Sequence, residues 1–451
     1  MSLVAGVRWS LRGKDAGSVR IPSDTNATED AVLRASSAAR RHSRYPVKPF
    51  PTWAVVAAAG VCVFLASWWV LHQGFYARDQ IVDLPVYENY GEAMTRGDVP
   101  YRDFAVEYPP AALPVFVLPA IGDGDSDSYR RRFEGMMAGF GAVLVVCVAL
   151  ALAALGAGLG RLAAGVVFVA AAPLLLGSVV LSRFDLWPAM LVAGALAAVL
   201  SGRVRVGSGL LGLGVAAKLW PAVLVPLVVA YVWRTRGRRD AWICLALVAG
   251  VTLACFLPFL VVAPVDVLDS VWRQARRPLQ IESLGSALLL AGHHAFGLNL
   301  TMKSSSGSQN LQGGLPDAIA VVQGLVQAAV VIALWISFAR GPATRERLVR
   351  YSAAATISFI ALGKVLSPQF LIWLLPLVPL VRGRRGLIAS ALLAAALVLT
   401  QLWFPYRYWD LALRFDEASS WLVLARDVVL ITLLVVLVEP SRFRQRAAAN
   451  P

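Results

Sequence analysis

Apolar runs of about 20 residues, separated by short clusters of arginine, fill the chain from about residue 52 to residue 438. A run of that length with few charges crosses a hydrocarbon core as helix, because each backbone polar group is then bonded inside its own segment. The runs predict spans at about 52–74, 133–156, 160–181, 184–201, 240–262, 316–339, 387–404 and 421–438. Two further stretches predict hairpins. Residues 208–233 have arginines on both flanks, so they must enter and return; each arm then reaches roughly 18 Å, with a tip near Lys218-Leu-Trp-Pro221. Residues 349–364 and 369–381 form the second, turning at Gly363-Lys-Val-Leu-Ser-Pro368. Counting both arms of each, the pattern predicts an all-α polytopic membrane bundle of about 12 segments. Segment 111–121 is too short to cross and follows Pro109-Pro110, which predicts a juxtamembrane or re-entrant helix.

The polar positions set the orientation. Arginines recur at alternate ends of the runs (Arg203 and Arg205, Arg234 to Arg239, Arg340 to Arg350, Arg382 to Arg385), which by the positive-inside rule places those ends, and both termini, in the cytoplasm. Residues 1–50 read as an unstructured basic arm, 51–440 as the membrane domain and 441–451 as a basic tail. The first span comes too late for a cleaved signal peptide. A net charge of +15 is thereby explained without nucleic acid, since the basic residues form clusters between spans and no binding stripe. With 58% hydrophobic and 15% charged residues, the chain belongs in a cell membrane. The four cysteines lie in apolar runs without metal spacing and read as small packing residues.

With this topology the ionisable residues that remain gather at the outer face. A charge at membrane depth costs several kcal/mol, so it marks a wet cavity or a partner. The first outer loop holds Asp83-Leu-Pro-Val-Tyr87, Tyr101-Arg-Asp-Phe104 and Glu107-Tyr-Pro-Pro110; Arg183, Asp185, Glu282, Arg276, Arg277 and Lys364 follow further along. Each has a plainer account. Asp185 could pair with Arg183 at a helix start, Lys218 could snorkel, Arg276 and Arg277 could be interfacial anchors, and Lys364 could neutralise a helix end. His293-His294 cannot act as an i, i+4 metal pair and read as loop histidines. No glycine-rich phosphate loop and no room for a nucleotide-binding domain are evident, so a sugar donor would have to be lipid-linked.

These residues resemble the GT-C glycosyltransferases, and within them glycosyltransferase family 87, the bacterial polyprenyl-phosphate-sugar-dependent group that includes α-mannosyltransferases and an arabinofuranosyltransferase. The resemblance rests on the first-loop motifs, on Arg183-Phe-Asp-Leu186 leading to Gly212-Leu-Gly-Val-Ala-Ala-Lys218 and Pro221, and on Gly363-Lys-Val-Leu-Ser-Pro-Gln369 with Trp373. It implies a GT-C bundle with juxtamembrane helices outside, and inverting transfer of a sugar, mannose first, from a polyprenyl-phosphate donor to a lipid or glycan acceptor. It implies Asp83 as general base, with Asp103 and Glu107 as rivals, and Lys218, Arg183 and Arg277 as holders of the donor phosphate. Sugar and acceptor contacts would fall to Arg102, Asp103, Glu107, Tyr108, Asp185, Glu282, Lys364 and Gln369. Family mannosyltransferases often carry a histidine pair after the late Ser-Pro; here Ser367-Pro-Gln-Phe-Leu-Ile-Trp373 has none, and Gln369 stands in its place. Neither a metal nor another cofactor is expected. A lipid-linked-sugar transporter is the rival reading; it would want polar residues near the midplane at a repeat interface.

Overall fold

The computed structural model describes residues 51–78, 81–122 and 124–439. The basic arm and tail expected at the termini lie outside the described residues. Seven helices there are long and apolar enough to cross a membrane: α1 (Thr52–Val70), α4 (Ser126–Ala154), α5 (Leu159–Leu176), α9 (Arg238–Val262), α12 (Gly314–Arg340), α14 (Gly383–Trp403) and α16 (Glu417–Val438). Shorter pieces pack among them: α6 (Leu186–Leu200), α7 (Val204–Ala217), α8 (Val225–Arg236), α13 (Arg345–Ala361) and the 3-10 stretches Pro368–Leu374 and Val378–Leu380.

Both hairpins have their feet together. Arg236 donates to the Gly202 carbonyl at 2.7 Å and Arg205 pairs with Asp240 at 2.9 Å, so α7 starts where α8 ends. The break between them is at Lys218, whose extended backbone (φ −160°, ψ 138°) stops the helix before Trp220-Pro221. With 14 residues, α7 rises about 21 Å. The second hairpin closes likewise, Arg382 lying 3.7 Å from Glu346. Small residues let these helices sit close. A Cβ on Gly212 of α7 would come within 2.6 Å of the Val248 carbonyl oxygen of α9, the approach expected where helices pack without a hydrophobic drive.

One end of the bundle is lined with arginines that cap helix ends. Arg345 donates to Ala154 O, Arg234 to Ala339 O, Arg347 to Phe338 O and Arg385 to Glu439 O, each meeting carbonyls left free by a terminating helix. The other end carries the irregular structure, and there the sequence reading needs correction. The loop after α1 contains a helix, α2 (Leu84–Thr95), followed by the expected short helix α3 (Leu113–Ala120) behind Pro109-Pro110. The long segment 263–315 holds α10 (Pro264–Ala275), α11 (Leu284–Phe296) and a three-stranded antiparallel sheet ordered β1 (Leu279–Gln280), β3 (Ser308–Gln312), β2 (Thr301–Ser305). Ser306 and Gly307 join β2 to β3 with positive φ (52° and 65°), the backbone of a two-residue hairpin turn. His293 and His294 close α11 rather than occupying a loop; they bond the Leu298 carbonyl and Ser420 Oγ.

Candidate active site

Asp83 occupies the position before α2, with Pro85 in the first turn, and its side chain caps nothing. One carboxylate oxygen meets the Arg183 guanidinium, and the Tyr87 hydroxyl lies 3.4 Å from the same oxygen. Tyr87 sits one turn on, stacked on Phe116 with ring centroids 4.5 Å apart. That aromatic layer also takes in Tyr108 and Phe184, and it forms the floor beneath the carboxylate.

Arg183 and Asp185 come from a deliberate gap in helix. The turn Val179–Ser182 ends at Arg183, whose backbone is extended, and α6 begins at Leu186 with Asp185 before it. The gap aims Arg183 and Asp185, either side of Phe184, into the protein. Asp185 is 1% exposed; its Oδ1 accepts from Lys218 Nζ at 2.6 Å and from Trp373 Nε1 at 2.6 Å, while Oδ2 has no partner. Lys218 thus lies at the hairpin tip as expected, with Nζ 4.6 Å from the Phe184 ring centroid, 5.3 Å from Trp373 and 5.7 Å from Phe370. Trp373 stacks on Trp220 at 5.0 Å. An ammonium has three donors, and one carboxylate with three ring faces leaves hydrogen-bonding capacity for an anion.

A third cation approaches from segment 263–315. Arg277, just before β1, donates to Ser306 O at 3.0 Å and Ser308 Oγ at 2.9 Å, and its Nε is buried without a partner. Burial lowers its pKa, opposed by the charges of Glu107 and Glu282. Glu282 is 2% exposed, with Gln280 against its carboxylate, and burial pushes its pKa up to about 8 against the pull of Arg426, Arg183 and Arg277. Arg183, Asp185, Lys218, Arg277 and Glu282 therefore act on one another within one electrostatic cluster. Glu107 is exposed beside the Gly307 turn. Gln369 shares the 3-10 stretch of Phe370 and Trp373, its Oε1 buried and unpartnered.

Three expected contacts are placed elsewhere. Arg102 and Asp103 make a two-pronged pair with each other (2.9 and 2.8 Å) on the surface, Asp103 also accepting from Val99 N. Arg102 thus holds the Asp103 carboxyl down at about 2, and the pair serves a turn rather than the cluster. Lys364 donates to the carbonyl of Ala275, the last residue of α10, at 2.9 Å, which is the helix-end role weighed against a sugar contact. Tyr108, by contrast, stays in the ring layer with Tyr87 and Phe184, and its carbonyl accepts from Tyr101 Oη at 2.6 Å.

The sequence reading missed Arg426 and Asp427. Both are fully buried in α16, 2.7 Å apart, and Arg426 Nη2 donates to the Glu282 carbonyl at 2.6 Å. Two adjacent opposite charges inside an apolar run were the available signal. Among the described residues, no three His, Cys, Asp or Glu side chains gather as metal ligands would. The model of glycosyltransferase family 87 matches residues 106–368, more than half of the chain. Arg183, Asp185, Lys218, Arg277 and Glu282 lie inside the match; Asp83 and Arg426 lie outside it. No curated protein matches the chain.

Proposed function

Because the chain belongs to glycosyltransferase family 87 and is a membrane glycosyltransferase, we propose that the cluster around Asp83 transfers a sugar from a polyprenyl-phosphate donor with inversion. The observation that supports this most is the placement of the Asp83 carboxylate against buried Arg183, two residues before the Asp185 that pairs with Lys218, at the end of the bundle opposite the arginine caps. Excess arginine marks a cytoplasmic end, so the reaction takes place on the extracytoplasmic side of the plasma membrane, about 12 segments forming the GT-C bundle.

In this reading Asp83 accepts the proton of an acceptor hydroxyl. The freed oxygen attacks the anomeric carbon from the face opposite the phosphate, the bond from that carbon to the phosphate oxygen breaks, and the polyprenyl phosphate departs with the electron pair. Arg183, Lys218 and Arg277 meet the charge that develops on the leaving phosphate; fixed cations in a water-poor site need no reorganisation as it forms. Before substrate binds, Arg183 holds the Asp83 carboxylate in place. The donor phosphate then competes for the guanidinium and frees the carboxylate to act as base. Glu282 and Gln369, with Glu107 and Asp185, supply sugar contacts, and mannose is the sugar to test first.

Purified protein with radiolabelled polyprenyl-phosphate mannose and an envelope lipid acceptor gives the test. Wild type forms a glycosidic product; Asp83→Asn loses about 10²–10⁴-fold in rate while still binding donor. Unchanged transfer in Asp83→Asn moves the base to Glu107. A protein that carries lipid-linked sugar across liposomes and forms no glycosidic bond overturns the reading in favour of a transporter.

A further inference from the structure

Resting on that reading of the site, we infer that the buried Arg426–Asp427 pair in α16 is a positioning device for Glu282, reaching the reaction from the last span without touching substrate. A charged pair inside an apolar helix is costly, and both residues are wholly shielded from solvent. Such a pair has to be held by something specific. Arg426 bonds the Glu282 main-chain carbonyl at 2.6 Å, immediately before Ser283 starts α11. It thereby fixes the point at which the outer segment turns from the sheet into helix. Its guanidinium also lies over Trp403 of α14, 5.7 Å from the ring centroid, so two spans grip it. Asp427 Oδ1 lies 2.7 Å from Arg426 Nε and lends its charge to the guanidinium.

The Glu282 carboxyl is faced by Arg426 and Asp427 from α16, by Arg183 ahead of α6, by Arg277 ahead of β1, and by Tyr408. The pair therefore sets two properties of Glu282 together: its place and its charge. Arg426 favours the ionised carboxylate and Asp427 opposes it.

The test starts from the transfer assay with wild type. Wild-type protein that makes no glycosidic bond defeats the functional reading; the remaining outcomes bear on this inference alone. A buried ion pair can often be replaced by apolar residues without loss of stability, so Arg426→Met/Asp427→Leu is the key variant. It is expected to keep its thermal midpoint in detergent and to lose about 10²-fold in kcat/KM, the scale of a misplacement near 1 Å. Glu282→Gln loses a similar factor, and the triple variant loses no more than either. Arg426→Gln moves the Glu282 limb of the pH–rate profile to higher pH, and Asp427→Asn moves it to lower pH. Arg426→Lys restores part of the transfer. Full activity in the double apolar variant, losses that multiply in the triple, or a limb that stays put in both single variants would each overturn the inference.

Discussion

The two ends of this bundle use the same side chains for opposite purposes. At one end Arg234, Arg236, Arg345 and Arg347 lie at the surface or only half buried and donate to carbonyls at helix ends, so each is a cap and, collectively, an orientation signal. At the other end Arg183 is buried, Lys218 and Arg277 are half-buried, and all three meet carboxylates, rings or a hairpin turn. The lesson is that count does not mark function here; the partner does. An exposed arginine that satisfies a helix-end carbonyl has finished its work. A cation set among carboxylates and rings with spare donors has not.

The sharpest way to break the contrast is to remove a cation from the site end. Lys218→Met leaves Asp185, 1% exposed, as an uncompensated buried charge. Breaking such a pair costs about 3–5 kcal/mol, and the thermal midpoint in detergent should fall accordingly, with transfer abolished. Adding Asp185→Leu should restore the midpoint and leave transfer absent. A double variant that recovered both would make the pair an ordinary strut and level the two ends.

Next in size is the hairpin that carries Lys218 from one end to the other. Gly212→Leu forces a side chain into the Val248 main chain, where even a Cβ would be 2.6 Å from the carbonyl oxygen. Overpacking of this kind costs about 1–3 kcal/mol, and donor affinity should fall with stability because the tip is displaced. Gly209→Ala, with nothing within 4 Å of the added Cβ, is the control and should alter neither.

A pH experiment separates the ends more gently. The Glu282 carboxyl titrates near 8 when folded, against 4.5 as a free group, so the folded protein binds the proton more tightly than the unfolded chain. Its contribution to stability is therefore whole below about pH 4.5 and declines as pH rises towards 8. The thermal midpoint of wild type should drop across that window relative to Glu282→Gln, the two converging in acid. Equal slopes for both proteins would place Glu282 in contact with water.

Much of this contrast was legible in the sequence, and the exceptions share a cause. Arginine clusters and apolar runs marked both hairpins and the Lys218 tip, because bilayer thickness leaves few ways to arrange segments so short between basic flanks. Arg183, Asp185 and Lys218 stood out as charges interrupting apolar runs. The failures lie where tertiary contact decides. Arg102 and Asp103 had the composition of a site, yet adjacent residues of opposite charge can satisfy each other, and they do. Arg426 and Asp427 were hidden because three charges in 22 residues, one of them at the helix start, leave a run apolar enough to cross. The helix at 84–95 was missed because a short amphipathic segment at a surface has too few turns to show its period, and the small sheet because its strands are polar.

The smallest effect belongs to the capped end. Arg236 is exposed, and its guanidinium bonds the Gly202 carbonyl at 2.7 Å across the feet of the hairpin. Arg236→Gln can still reach a carbonyl but loses the charge, so stability should change by no more than about 1 kcal/mol and transfer should stay within roughly the twofold range that a surface change of this size allows. Neighbouring Arg234, Arg238 and Arg239 also preserve the orientation signal, and cysteine labelling should find loop 96–106 on the same side of the membrane as in wild type. If this one exposed arginine proved as costly to remove as Lys218, the capped end would have to be read as part of the catalytic machinery, and the partner of a cation would lose its value as the criterion that tells the two ends apart.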